Sequence, residues 1–280
     1  FDFTLNTKAE VWSDELTGLY KQAVASQWNP FTAIAWETPV NLPTEIEDAV
    51  VQLMTYLVEN ENAALLVPAR FLGRIHPHFK EVMQLLAIQA ADEARHVEVF
   101  TRRALLNRSE LGLSTAGGQA SLKTLFDEPD FALAMFLLSV LGEGSFLALL
   151  SFVAENAPDP VTARVCSLAS QDEARHVAFG MAHLLRHVEQ DPGLRSRLRS
   201  AIERRHSSLQ ETAGLNQEVF DALVVVAAQE LSVEAIRTGY GKVRGLKEDM
   251  DAGRQRRLLK LGFGEEEARQ LSGLHTRNFM

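Results

Sequence analysis

Apolar residues recur every three or four positions along much of this 280-residue chain, and no convincing run of strict alternation occurs. That period belongs to helices, because residues i, i+3, i+4 and i+7 share one face, whereas a half-buried strand alternates at two. The stripe is clear over 45–72, where Val50, Leu53, Met54, Leu57, Val58, Leu65 and Leu66 fall in helical register. Gly73 and Pro77 mark its end, and a second helix is expected over 78–107. A loop is expected over 112–118. A third helix, 129–156, ends at Pro158-Asp159-Pro160, and a fourth, 161–190, stops at Pro192-Gly193.

Ahead of these, 13–26 reads as a short amphipathic helix. It leads into a loop holding Trp28-Asn29-Pro30, Trp36, Pro39 and Pro43, whose prolines stop helix formation. The tryptophans are expected to pack on the helices. Thr44 reads as an N-cap, with Glu45 and Glu47 in the first turn, where negative charge suits the helix dipole. Further helical patterns occupy 194–213, 217–238, 242–261 and 265–272. The prediction is an all-α chain of one domain over 1–280. It has an N-terminal strap over 1–44, a four-helix core of two similar hairpins over 45–190, and a C-terminal helical extension over 191–280.

The stretch from Phe131 to Ala154 is almost wholly apolar, 24 residues, long enough to span a bilayer. Glu143 stands near its centre between Gly142 and Gly144, and no second span of that length exists. A helix buried on all sides of a bundle has the same hydropathy, so a core helix is expected, with no membrane partner. The net charge of −9 argues against nucleic acid, which needs clustered Lys and Arg. Two Arg-rich runs, 195–199 and 254–257, read as solvated helix faces. Cys166, the single cysteine, lies among apolar residues and reads as a buried thiol. No secretory signal is visible, and a cytoplasmic location is expected.

Chemistry is concentrated in one word used twice, Asp92-Glu93-Ala94-Arg95-His96 and Asp172-Glu173-Ala174-Arg175-His176. Each copy contains Glu-x-x-His, which places both ligand types on one helix face. A single such pair is often only a solvated face. Here each copy has a carboxylate at its own level one helix upstream. Glu143 and Glu173 are each 15 residues from Pro158, and Glu61 and Glu93 are each 16 from Pro77. In antiparallel hairpins with equal rise per residue, these pairs return to one height. Glu59 competes with Glu61, but the apolar neighbours of Glu61 at helical spacing favour Glu61. Four Glu and two His can hold two cations, and imidazole with carboxylate suits iron or manganese. Asp92 and Asp172 are placed to accept the second N–H of a ligand His across the bundle, and Arg95 and Arg175 to pair with them. Glu230 is a weaker candidate for a buried acid near the site, and a solvated face is the favoured reading.

Over 45–190 the chain resembles the ferritin-like di-iron carboxylate proteins at Glu61, Glu93, His96, Glu143, Glu173 and His176. Asp-Glu-x-Arg-His and Glu61-Asn62-Ala63-Ala64 resemble the multicomponent monooxygenase hydroxylases. Trp28-Asn29-Pro30 is similar to the entry segment of ribonucleotide reductase small subunits and their ligand-binding oxidase relatives. The resemblance implies a ferritin-like four-helix bundle in which Glu61 and His96 serve one iron, Glu143 and His176 the other, with Glu93 and Glu173 shared. It also departs from each subfamily. Leu147 stands where the hydroxylases have threonine, and Phe100 where reductase subunits have their radical tyrosine. No tyrosine closely precedes Glu143, and Ala169 replaces the extra histidine of the arylamine N-oxygenases.

The resemblance implies an enzyme, a non-haem di-iron oxidase or oxygenase with two Fe, or an Fe/Mn pair, and O2 as co-substrate. It would hydroxylate, desaturate or N-oxygenate a small organic substrate beside Phe100, Phe146 and Leu147, with Glu93 and Glu173 as the catalytic carboxylates. Electrons would come from an external ferredoxin or flavin reductase, since no flavin or nicotinamide motif is present. Ferritin-type iron storage and a scaffold with a structural metal pair remain alternatives, and a homodimer is left open.

Overall fold

Both expected hairpins form. In the computed structural model, which describes residues 2–114, 116–209 and 217–274, the elements in order are α1 (Lys8–Val11), α2 (Leu16–Ala25), α3 (Thr44–Leu72), a 3-10 turn (Pro77–Phe79), α4 (Lys80–Ala104), α5 (Ala116–Phe126), α6 (Phe131–Met135), a π-helical segment (Phe136–Glu143), α7 (Gly144–Asn156), α8 (Pro160–Gln190), α9 (Leu194–Leu209), α10 (Gln217–Ala228), α11 (Val233–Lys260) and α12 (Glu265–Gly273). No strand occurs among the described residues; an isolated bridge joins Leu5 to Ile75. Helices α3 and α4 pair, α7 pairs with α8, and α4 meets α8 to close the bundle. The strap lays α2 across α4 and α8, while α10 and α11 cover α3 and α7.

Local chemistry accounts for the boundaries. Asp130 caps α6 by accepting from Leu133 N–H, and Asp159 caps α8 by accepting from Thr162 N–H with Pro160 at the first helical position. Thr44 is not the cap of α3: Pro43 holds that place and Thr44 is already helical. Glu47 of the first turn is buried in an ion pair with Arg103, which also bonds Asp159 and Thr162. That network ties α3, α4 and α8 at one end.

Several elements differ from expectation. The region after 118 is helical: α5 begins inside the expected 112–118 loop, where Gly117 and Gly118 hid the start. The expected helix over 217–238 ends at Ala228, and the break falls at Gln229, whose φ is 61°, rather than at the glycines 239 and 241. Those glycines lie inside α11, and Gly239 packs directly on α10, where a Cβ would come 2.4 Å from Val224 O. Positions 210–213 of the expected 194–213 helix lie outside the described residues. Leu66 belongs to the predicted stripe but is 49% exposed. The Phe131–Asn156 helix is long and apolar enough to cross a membrane, and 89% of its most apolar window is buried inside the bundle. It is a core element with a π turn at its middle, which hydropathy does not register. Arg254 is also no solvated residue; it is 1% exposed.

Candidate metal centre

All six predicted ligands meet at the middle of the bundle. Glu61 comes from α3, Glu93 and His96 from α4, Glu143 from the end of the π segment, and Glu173 and His176 from α8. They form two overlapping groups. One atom each from Glu61, Glu93, His96 and Glu173 lie within 4.8 Å of one another, and so do atoms of Glu93, Glu143, Glu173 and His176. Glu93 and Glu173 belong to both. Glu93 turns Oε2 toward His96 Nδ1 at 3.2 Å and Oε1 toward His176 Nδ1 at 3.0 Å. Glu173 does the same with Oε1 at 3.4 Å and Oε2 at 3.5 Å. Each shared carboxylate thus offers one oxygen to each half. Glu59 is absent from both groups and faces an outer groove.

These atoms are under-satisfied. Glu61 Oε1, Glu143 Oε2 and both oxygens of Glu173 are buried without a hydrogen-bond partner, and Glu93 Oε1 and His176 Nδ1, 3.0 Å apart, have no partner beyond each other. Buried polar atoms seldom go unpaired, and each charged carboxylate left so would cost several kcal/mol. Lone pairs converging in two groups of four fit two cations, and oxygen with imidazole suits iron or manganese. The titration behaviour agrees. Burial, then the charges of Glu93 and Glu173, push Glu61 well above the ordinary carboxylate range, and burial with Glu173 does the same to Glu143. Burial also opposes charge on Glu93, but His176 and His96 outweigh it and hold Glu93 below that range. Burial opposes charge on His96, yet contacts with Asp172, Glu173, Glu61 and Glu93 raise it well above the usual histidine value. Protons therefore sit where cations fit.

A second layer crosses the bundle. His96 Nε2 lies 3.2 Å from Asp172 Oδ2, and His176 Nε2 lies 3.3 Å from Asp92 Oδ2, so each word's aspartate serves the other word's histidine. Arg95 donates to Asp92 and to Asp172, at 2.7 Å to the latter, and Arg175 likewise reaches both aspartates. Burial penalises Asp172, but His96, Arg95 and Arg175 hold it below the usual range. This fixes the imidazoles with Nε2–H toward aspartate and Nδ1 toward the centre.

The strap contributes a third layer, where packing alone was expected. Trp28 Nε1–H donates to Asp172 Oδ2 at 2.8 Å, and its ring stacks on His96 at 6.5 Å with planes 16° apart. Gln27 donates from Nε2 to Asp92 Oδ1 at 2.9 Å and accepts at Oε1 from Arg95 Nη1. A half-buried indole N–H needs a partner, which was the available sequence signal. Gln89 was also missed; it donates to Glu143 Oε1 at 3.0 Å. It stands four residues before Glu93, one turn away on the same face.

A cavity of about 20 Å³, enough for a water-sized molecule, reaches the carboxylates between α3, α5, the π segment and α8. Leu122, Leu125, Leu138 and Phe146 form its apolar wall beside Glu61, Glu143 and Glu173. Leu122 also lines the outer groove with Leu66 and Phe126. Of the three residues expected around substrate, Phe146 lines this cavity. Phe100 lies in the apolar core, its ring 6.3 Å from that of His96, and Leu147 is half-buried outside the lining. Glu230 is exposed and bonded to Ser232, so it is not a buried acid.

No family model and no curated protein matches the chain. Solved structures do. A variant of R2-like ligand-binding oxidase with an Fe/Fe cofactor superposes with a TM-score of 0.58 at 19% identity, over 85% of this chain and 94% of that one. Another with a Mn/Fe cofactor gives 0.59 at 19%, over the same shares. The fold is ferritin-like. A Synechococcus protein with aldehyde deformylating oxidase activity is similar over 82% of this ferritin-like chain and 96% of its own length, with a TM-score of 0.56 and 15% identity.

Proposed function

We propose that this chain is a non-haem dimetal oxidase or oxygenase that binds two Fe, or an Fe/Mn pair, and uses O2 to oxidise a small, largely apolar organic molecule. One observation carries the reading: two four-residue groups share Glu93 and Glu173, and their buried lone pairs lack partners. The similar solved structures are of oxidases, which supports it. In this reading Glu61 and His96 would hold one ion and Glu143 and His176 the other, with Glu93 and Glu173 shared between the two groups. Bound there, the pair supplies the redox chemistry that activates O2.

The protein's own share is orientation and proton placement. Asp172 and Asp92 keep His96 and His176 as neutral Nδ1 donors. Arg95 and Arg175 balance the aspartates. The leucine and phenylalanine wall gives the water-sized cavity beside Glu61, Glu143 and Glu173 an apolar side. An external ferredoxin or flavin reductase supplies electrons, and Trp28, Asp172 and His96 form the hydrogen-bonded route from the half-exposed indole inward.

Anaerobic protein loaded with Fe(II) and mixed with O2 tests this. The expected result is uptake limited to the bound pair, with a transient visible absorbance, and no continued oxidation when more Fe(II) is supplied. Continued oxidation with mineral growth would replace the oxidase with a storage protein, and no reaction of a loaded pair would leave a structural site.

A further inference from the structure

Glu143 is the only one of the six candidate ligands that stands on a π turn, and this turn is held from outside by α11. Gly144 N–H reaches back five residues to Ser139 O. When the α-helical register resumes, the next donor, Ser145 N–H, belongs with Leu141 O four residues back, so Val140 O is the carbonyl skipped by the change. Arg257 Nε donates to Val140 O at 2.6 Å. The neighbouring carbonyl is held as well: Ser145 Oγ donates to Leu141 O at 2.7 Å and accepts from Arg254 Nη1 at 3.1 Å.

The fit leaves little slack. A Cβ on Gly144 would come 2.5 Å from Arg257 Cζ, so the glycine makes room for the guanidinium. A Cβ on Gly180 would come 2.6 Å from the Ser139 Cβ, so α8 presses on the same turn from the other side. Both arginines lack a close carboxylate among the described residues; Asp251 approaches Arg254 at 4.0 Å. Burial lowers both guanidinium groups to about 10, which still leaves them charged at neutral pH. A buried Arg254 and a half-buried Arg257, both poorly neutralised, are a poor choice for packing alone. They are well suited to carbonyl and hydroxyl oxygens that a helix leaves without N–H donors.

We propose that Arg257, supported by Arg254, is a positioning residue that locks the π register and so aims Glu143 at the half of the centre formed with Glu93, Glu173 and His176. Relaxation of the turn to α-helical register would shift the phase of the helix by about one residue, roughly 100°. The inference rests on the dimetal reading above, and its test separates the two.

Wild type, Arg257→Met, Arg257→Lys and Gly144→Ala would be compared in two measurements. The first is local amide hydrogen exchange without metal. Arg257→Met is expected to speed exchange over 139–147 at least tenfold while α3 and α4 stay protected, with lysine partly restoring protection. The second is anaerobic Fe(II) titration, with bound metal counted. Wild type is expected to bind two ions, and Arg257→Met to keep one and weaken the other by about 10–100-fold, the range for loss of a supporting contact at a metal site. Gly144→Ala should reproduce the split by expelling Arg257, which covers the case in which the methionine variant does not fold. Unchanged exchange over 139–147, or equal weakening of both positions, would overturn the positioning role. Failure of wild type to bind two ions, with the exchange result intact, would overturn the dimetal reading and leave Arg257 as a clamp of the π turn alone.

Discussion

The two halves of the centre are built from the same word but held in different ways. In the first, Glu61 projects from the uninterrupted helix α3, and His96 lies beneath the Trp28 ring, whose N–H reaches Asp172. In the second, Glu143 projects from a π turn clamped by α11, and the Asp92 that serves His176 is bonded by the exposed Gln27. A void of about 10 Å³ lies against His176. The inner ligand sets are near-equivalent while their supports are not. The strap reaches the first half through Trp28 and the second through Gln27, and the C-terminal extension supports the second through Arg257, which gives segments outside the four-helix core a direct bearing on the site.

The largest effects should come from the residues the halves share. Glu93→Ala or Glu173→Ala is expected to remove both metal positions, while Glu61→Ala and Glu143→Ala each remove one; metal counting after anaerobic loading reads the difference. Next comes the crossed layer. Asp172→Ala leaves Arg95 and Arg175 short of a buried partner and frees the Trp28 N–H, so a loss of about 3–5 kcal/mol is expected in denaturant unfolding. Trp28→Phe removes one hydrogen bond to that charged aspartate and should cost about 1.5–3 kcal/mol. Gln27→Ala, at an exposed position, should cost less, and a larger effect from Gln27 would undo the asymmetry.

Proton linkage sharpens the same picture. Glu61, Glu143, His96 and His176 are all raised on folding. A raised group stabilises the metal-free protein below its unfolded pKa, about 4.3 for Glu and 6.5 for His, and this contribution is lost as pH climbs through the folded value. Glu93 and Asp172 are lowered, so their contribution is present above their unfolded values and lost as pH falls below about 4. Burial lowers His183 and His187, which adds stability as pH rises to about 6.5 and offsets the glutamates there, so the Tm of metal-free protein should fall from about pH 6.5 to pH 8. Because cations replace the protons, the Tm gained on metal loading should grow over that interval in differential scanning fluorimetry. A gain that shrinks would mean that the ions bind elsewhere.

The smallest effects concern access. Leu122→Trp should slow the reaction of loaded protein with O2 by narrowing the cavity, and Glu59→Ala should leave metal binding unchanged and stability within about 0.5 kcal/mol, as for other surface changes. Stopped-flow absorbance and metal titration check these.

The site geometry was legible because it depends on helical periodicity and equal rise per residue, both local rules. Two copies of one word, each level with an upstream glutamate, specify where four helices must meet. What was not legible depends on contacts between distant segments. Trp28 and Gln27 bond aspartates 144 and 65 residues away, and nothing local to 27–28 announces the partner. Arg254 and Arg257 looked like a solvated run because charge is ordinarily outside; a π turn that needs side-chain donors reverses this. Helix α5 was hidden by paired glycines at its start, and with it the apolar wall containing Leu122 and Leu125.

The most direct test of the account is anaerobic Fe(II) titration of wild type beside Glu61→Ala, Glu143→Ala and Glu93→Ala, with bound metal counted at saturation. Two ions, one, one and none are expected, in that order. Two ions retained in Glu93→Ala, or fewer than two in correctly folded wild type, would contradict the shared-carboxylate centre on which the proposed function rests.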